Sequence, residues 1–166
     1  MKRYTKARGE ILTLKMKIRI DIQRATDDPD IPDNRKFRKW VKTALTDYNK
    51  DTELTIRIVD EDEGTELNRK WRKKKGPANV LSFPYADDDD IAGDLLGDII
   101  LCAPVIRKEA REQKKTLESH WAHMVIHGTL HLLGYDHIKP EDAGKMENLE
   151  TRLLKSLGYA NPYYYQ

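Results

Sequence analysis

From residue 17 the chain reads Lys-Ile-Arg-Ile-Asp-Ile-Gln, a strict alternation of polar and apolar side chains that predicts a half-buried β-strand. Phe37, Trp40, Val41, Ala44, Leu45 and Tyr48 then recur at intervals of three and four, the signature of an amphipathic helix. Residues 54–59 predict a second strand. Residues 60–71 are acidic at their start and basic at their end, which suits a short helix and its dipole. Gly76-Pro77 breaks the chain, and residues 79–83 predict a third strand, stopped by Pro84. Residues 97–102 predict a fourth, after which Pro104 opens a helix in its first turn. A long helix is expected over residues 116–133, capped by Gly134, and a last one over residues 140–157, with Met146, Leu149, Leu153, Leu154 and Leu157 on one side. Residues 1–15 show only weak periodicity, and residues 160–166 read as a loose tail. Strands come early and the longest helices late, so the class is α+β, with four strands and about five helices in one domain.

Composition narrows the setting. A chain of 166 residues fits one domain with a real core. The one cysteine, Cys102, excludes an internal disulfide framework and points to a reducing, cytoplasmic compartment. No apolar run approaches the ~20 residues needed to cross a bilayer. The 30 basic and 28 acidic residues leave a net charge of +2, which by itself says nothing about partners. The distribution says more. Residues 69–75 place six basic residues around one tryptophan, Asp87 to Asp90 are consecutive, and Asp27, Asp28, Asp30 and Asp33 make a second acidic stretch.

All five histidines fall between positions 120 and 137. His120, His123, His127 and His131 are spaced by three, four and four, so they line one stripe of the long helix. His127 and His131 point the same way from one face, and Gly134 permits a sharp turn that returns His137 to the same point. Three neutral imidazoles around one cation leave a fourth position open, the pattern of a catalytic rather than a structural zinc site. The site is therefore expected at the end of the long helix. The spacing H-x-x-x-H-x-x-G-x-x-H is that of metzincin peptidases, with one departure: Gly128 stands where those enzymes carry their general-base Glu. The glycine suggests that space beside the metal is wanted, for instance by a bulky substrate group. His120 and His123, one or two turns below, read as structural groups or supports of the metal ligands. Asp136 is open between orienting an imidazole and capping the turn. Ser82 and Asp98 are polar groups at strand positions that could face the same pocket.

The stretch from His127 to His137 resembles the signature H-G-x-L-H-L-x-G-Y-D-H of the YbeY family of bacterial endoribonucleases. Residues 67–72 (Leu-Asn-Arg-Lys-Trp-Arg), 79–84 (Asn-Val-Leu-Ser-Phe-Pro), 96–99 (Leu-Gly-Asp-Ile) and 146–150 (Met-Glu-Asn-Leu-Glu) are similar to further blocks of that family, in order and spacing. The resemblance covers residues 16–159. It implies a mixed four-stranded sheet and one zinc per chain on His127, His131 and His137, other divalent transition metals fitting the same donors. It also implies cleavage of single-stranded RNA in maturation of the 16S ribosomal RNA 3′ end and in ribosome quality control, with the ribosome or small-subunit proteins as partners and no membrane. The family's functional arginine carries over onto Arg72. Ala78 departs from the family's usual Thr, and residues 1–15 have no counterpart in its pattern. The expected organisation is an N-terminal appendage (1–15), a catalytic domain (16–159) and a tail (160–166), acting as a monomer.

Chemically, a guanidinium such as that of Arg72 matches two oxygens of the extra-charged phosphorane through which RNA cleavage passes. Arg69, Lys70, Lys73, Lys74 and Lys75 read as sequence-tolerant contacts to the RNA backbone. Trp71 could stack on a base or pack inward. Two other classes compete. A metallopeptidase lacks its Glu, and a non-catalytic ribosome-assembly factor with structural zinc shares the basic segment.

Overall fold

The computed structural model describes residues 4–7, 10–13, 16–85 and 93–164, the stretches before residue 16 by their backbone alone. The consecutive aspartates 87–90 lie outside the described residues. Strands β1 (Tyr4–Ala7) and β2 (Glu10–Thr13) pair antiparallel as a separate two-stranded ribbon, an element that the weak periodicity there did not predict. The main sheet holds β3 (Ile18–Ala25), β4 (Thr52–Val59), β5 (Val80–Pro84) and β6 (Leu95–Cys102), in the order β3-β4-β6-β5. β3, β4 and β6 run parallel and β5 antiparallel to β6, so the sheet is mixed.

Five helices are described: α1 (Asn34–Ala44), α2 (Glu61–Arg72), α3 (Ala103–Glu112), α4 (Leu117–Leu132) and α5 (Pro140–Ser156). Their ends follow local chemistry. Asp33 caps α1 by accepting from the Lys36 N–H, and Thr116 caps α4 by accepting from that of Ser119. Proline sits in the first turns of α3 and α5.

The alternation in β3 turns Ile18, Ile20 and Ile22 toward the main core and leaves Arg19, Asp21 and Gln23 exposed. That core gathers Phe37, Trp40 and Val41 of α1, Ile56 and Ile58 of β4, and Trp121, Ile126 and Leu130 of α4. Phe37 meets both Trp40 and Trp121 edge to face, with centroids 5.8 and 5.7 Å apart. A smaller cluster of Val59, Leu81, Ile100 and Cys102 is packed by Leu67, Phe83 and Val105. Helix α4 touches α1, α3, α5, β5 and β6, and is buried on nearly all sides. The helix that carries the histidines is thus held from five of the described elements.

Candidate metal centre

The C-terminal end of α4 carries His127 and His131. Gly134, at φ +98°, lets the chain reverse there, and the Gly134 and Tyr135 N–H groups close the helix on the carbonyls of His131 and Leu130 at 3.0 and 3.1 Å. The reversal is fixed by Asp136, whose Oδ1 accepts from the backbone N–H groups of His137 (2.6 Å) and Ile138 (3.1 Å). Of its two open roles, Asp136 takes the capping one.

The outcome is a convergence of three ring nitrogens. His131 Nε2 lies 3.1 Å from His127 Nε2 and 3.1 Å from His137 Nδ1. Which of these nitrogens carries a proton is decided from behind. Glu150 of α5 is fully buried, and its Oε1 lies 3.1 Å from His127 Nδ1. Burial pushes this carboxyl up, but hydrogen bonds from His123 and His127 outweigh it and hold the group down to about 2. An ionised Glu150 only accepts, so the His127 proton sits on Nδ1 and its Nε2 presents a lone pair to the cluster. His131 is pushed down to about 4 by burial and by its neighbours His127 and His137, so it is neutral at pH 7. Converging lone pairs, inward tautomer control and all-imidazole donors fit a borderline divalent transition metal such as zinc.

His123 and His120 lie deeper. Glu150 Oε2 accepts from His123 Nε2 at 2.5 Å and from the Tyr163 hydroxyl at 2.7 Å. Tyr163 also meets the His123 ring edge-on at 5.4 Å. This revises the expectation of a loose tail: Pro162 is buried, its carbonyl accepts from Lys115, and Tyr163 reaches the carboxylate behind the three converging histidines. His120 Nε2 sits 3.0 Å from Glu109, whose carboxylate also accepts from Asn79, so His120 belongs to the scaffold. Glu150 and Tyr163 had been given no role. For Glu150 there was a signal: it falls between Met146 and Leu154 at intervals of four, a carboxylate on the apolar stripe of a helix.

Gly128 has a different reason from the one its position suggested. A Cβ there would meet Ile99 Cγ2 at 2.9 Å, Val80 Cγ2 at 3.1 Å and Ser82 Oγ at 3.4 Å. The space is filled by β5 and β6, and no substrate group is accommodated. The glycine lets α4 approach the sheet, with Ser82 donating to its carbonyl at 3.2 Å. A Glu in that position would point into the sheet.

The three histidines open onto a cleft of about 740 Å³ that Arg72, Lys74, Asn68 and Tyr135 also line. Arg72, the last residue of α2, is exposed at this cleft. Asn68 is buried and donates to the Gly76 carbonyl at 2.8 Å, which shapes the loop after α2. Of the other basic candidates only Lys74 reaches the cleft. Arg69 pairs with Glu66 at 2.7 Å, and Lys70 lies 5.1 Å over Trp71, while Lys73 and Lys75 are exposed outside the lining. Trp71 does not pack inward: it is 58% exposed, edge-on to Phe83. Ser82 lines the cleft, whereas Asp98 accepts from the Tyr85 hydroxyl at 2.8 Å and is not among the lining residues. Cys102 is buried away from the cleft.

A family model described as Endoribonuclease YbeY matches residues 21–158. The chain belongs to the YbeY family. That family's activity is endoribonucleolytic cleavage in ribosomal RNA processing, which puts the chain among RNA-cleaving hydrolases. A solution structure of a Thermotoga maritima protein is similar at 25% identity and a TM-score of 0.54, over 89% of this chain and 99% of that one. No helix among the described residues is long and apolar enough to cross a membrane.

Proposed function

We propose that this YbeY-family chain is a metal-dependent endoribonuclease that cuts single-stranded RNA at the 3′ end of 16S ribosomal RNA precursors and in ribosome quality control, working as a cytoplasmic monomer with the ribosome or its small-subunit proteins as partners. The observation that carries the reading is the convergence of His127 Nε2, His131 Nε2 and His137 Nδ1 beside Arg72 in one cleft. These three nitrogens would hold one zinc per chain, which when bound supplies Lewis acidity to phosphodiester cleavage. Arg72 offers two parallel N–H donors to the non-bridging oxygens of the scissile phosphate, where charge builds in the transition state. Lys74 holds the strand in the cleft as a point charge. Tyr135 and Ile138 give the cleft exposed apolar surface against which an unstacked base can rest.

The test is metal analysis paired with cleavage of a 16S precursor fragment. Arg72→Gln is expected to keep one metal per chain and lose about a hundredfold in rate, the scale of a lost transition-state donor. His131→Ala is expected to lose both metal and cleavage. Undiminished cleavage by His131→Ala, freed of contaminating nucleases, would overturn the reading.

A further inference from the structure

Helix α1 breaks the rules that α2 obeys. α2 begins with Glu61, Asp62 and Glu63 and ends with Arg69, Lys70 and Arg72, so its charges suit the helix dipole. α1 contains no acidic residue, and its first turn carries Arg35 and Lys36, the unfavourable sign at that end. Arg35, Arg38, Lys39 and Lys42 lie at intervals of three and four on its exposed face, so like charges sit beside one another along the whole helix. Several cations elsewhere in this nearly neutral chain do have carboxylate partners. Arg57 pairs with Glu63, Arg107 with Asp28 and Asp30, and Lys36 with Glu118. Among the described residues, none of the four on the α1 face forms an ion pair. Asp33 is engaged as the helix cap, and Asp47 lies past the helix end.

Together with Thr43 and Thr46, the four line a shallow depression of about 580 Å³ that holds no carboxylate and no large apolar side chain. The opposite face, Phe37, Trp40, Val41 and Ala44, is fixed in the core. Local rules broken without a packing gain mark functional surface. The occupant must be a polyanion long enough to follow a stripe of about 10 Å. A lipid surface is a poor fit, because membrane-bound helices insert an apolar face and this one has already buried its own.

We propose that the exposed face of α1 is a second RNA-docking surface, which grips the phosphate backbone of the substrate at a distance from the cleaved bond. The proposal rests on the endoribonuclease reading above. It gives the chain a way to favour long or folded RNA over short fragments. Non-bridging phosphate oxygens accept from the guanidinium and ammonium groups; no base is read.

The experiment uses the full chain and the variant with Arg35→Gln, Arg38→Gln, Lys39→Gln and Lys42→Gln. Binding is measured against a long 16S precursor fragment, single-stranded and annealed, and against a short single strand that fills only the cleft. For the long RNA the variant is expected to bind about tenfold or more weakly, with the slope of log K against log salt reduced by about 2–3. Metal content and the rate on the short strand are expected to stay as in the parent. The single-stranded and annealed arms show which form the surface grips. Equal affinity and equal salt slope for parent and variant would overturn the proposal, as would stripe-dependent binding seen only with phosphatidylglycerol vesicles or only with polyglutamate. Failure of the parent to cut the short strand would count against the endoribonuclease reading alone, since long-RNA binding still reports on α1.

Discussion

Glu150 Oε1 stands 3.1 Å from His127 Nδ1, and this contact decides which face of the imidazole a metal can use. Without the carboxylate, His127 could carry its proton on Nε2 and point an N–H, rather than a lone pair, into the cluster. Glu150→Gln keeps the shape but replaces an acceptor-only group by one that can also donate. Metal affinity is expected to fall about 10–100-fold, as when the supporting partner of a ligating histidine is lost. Competition with a chromogenic chelator reads this directly. Thermal melts of the metal-free proteins separate the effect from folding, because Glu150 also receives His123 and Tyr163. Tyr163→Phe, which removes one of three donors and leaves the His127 contact intact, should change the affinity far less.

Gly128→Ala tests why the peptidase-like base is missing. The new methyl gains about 1 kcal/mol of helix propensity. It also presses on Ile99, a fully buried β-branched residue of β6 whose Cγ2 would lie 2.9 Å away. Overpacking of that kind costs about 1–3 kcal/mol. The net expectation is a loss of stability, seen as a lower denaturant midpoint at unchanged m-value. A gain would mean that the helix–sheet contact is looser than its atoms indicate.

Cys102 should be inert in the native protein. Burial pushes its thiol up to about 11, so at pH 7 only about one molecule in ten thousand carries the reactive thiolate. The side chain is also closed from solvent. A thiol-specific reagent is expected to show no reaction at pH 7 and full reaction once denaturant unfolds the chain. Raising the pH toward 11 should increase native labelling, since the sign of the shift keeps the neutral form below that value.

The periodic parts of the sequence were the legible ones. The alternation in β3, the three-and-four spacing of α1 and the glycine and proline punctuation around α3, α4 and α5 reproduce the observed elements to within a few residues, because each reflects a face that must be buried. The metal candidates were legible too, since i and i+4 on a helix and a turn glycine fix relative direction without tertiary information. What escaped was long-range. Glu150 is 23 residues from His127 and Tyr163 is 13 from Glu150, so no local spacing links them. Gly128 was misjudged for the same reason: its neighbours Val80 and Ile99 come from strands far away in the chain. The basic run over residues 69–75 looked like one surface, but the end of α2 splays it, leaving Arg72 and Lys74 at the cleft and Arg69 on Glu66.

The boundary at residue 16 also has a physical argument. Among the described residues the strands β1 and β2 pair with each other alone, whereas the main sheet begins with β3. The first tie to the main sheet among the described residues comes at Lys17, whose N–H donates to Asp51 at 2.8 Å and whose carbonyl accepts from the Thr52 N–H at 2.8 Å. A chain starting at Met16 keeps both bonds, every core residue among those described and every residue of the histidine cluster. It is expected to bind one metal with the parent's affinity, to melt within a few degrees of the parent and to cut RNA at the parent's rate. A large drop in melting temperature would mean that the ribbon covers part of the core. Normal melting with lost cleavage would instead make the first fifteen residues part of the substrate surface.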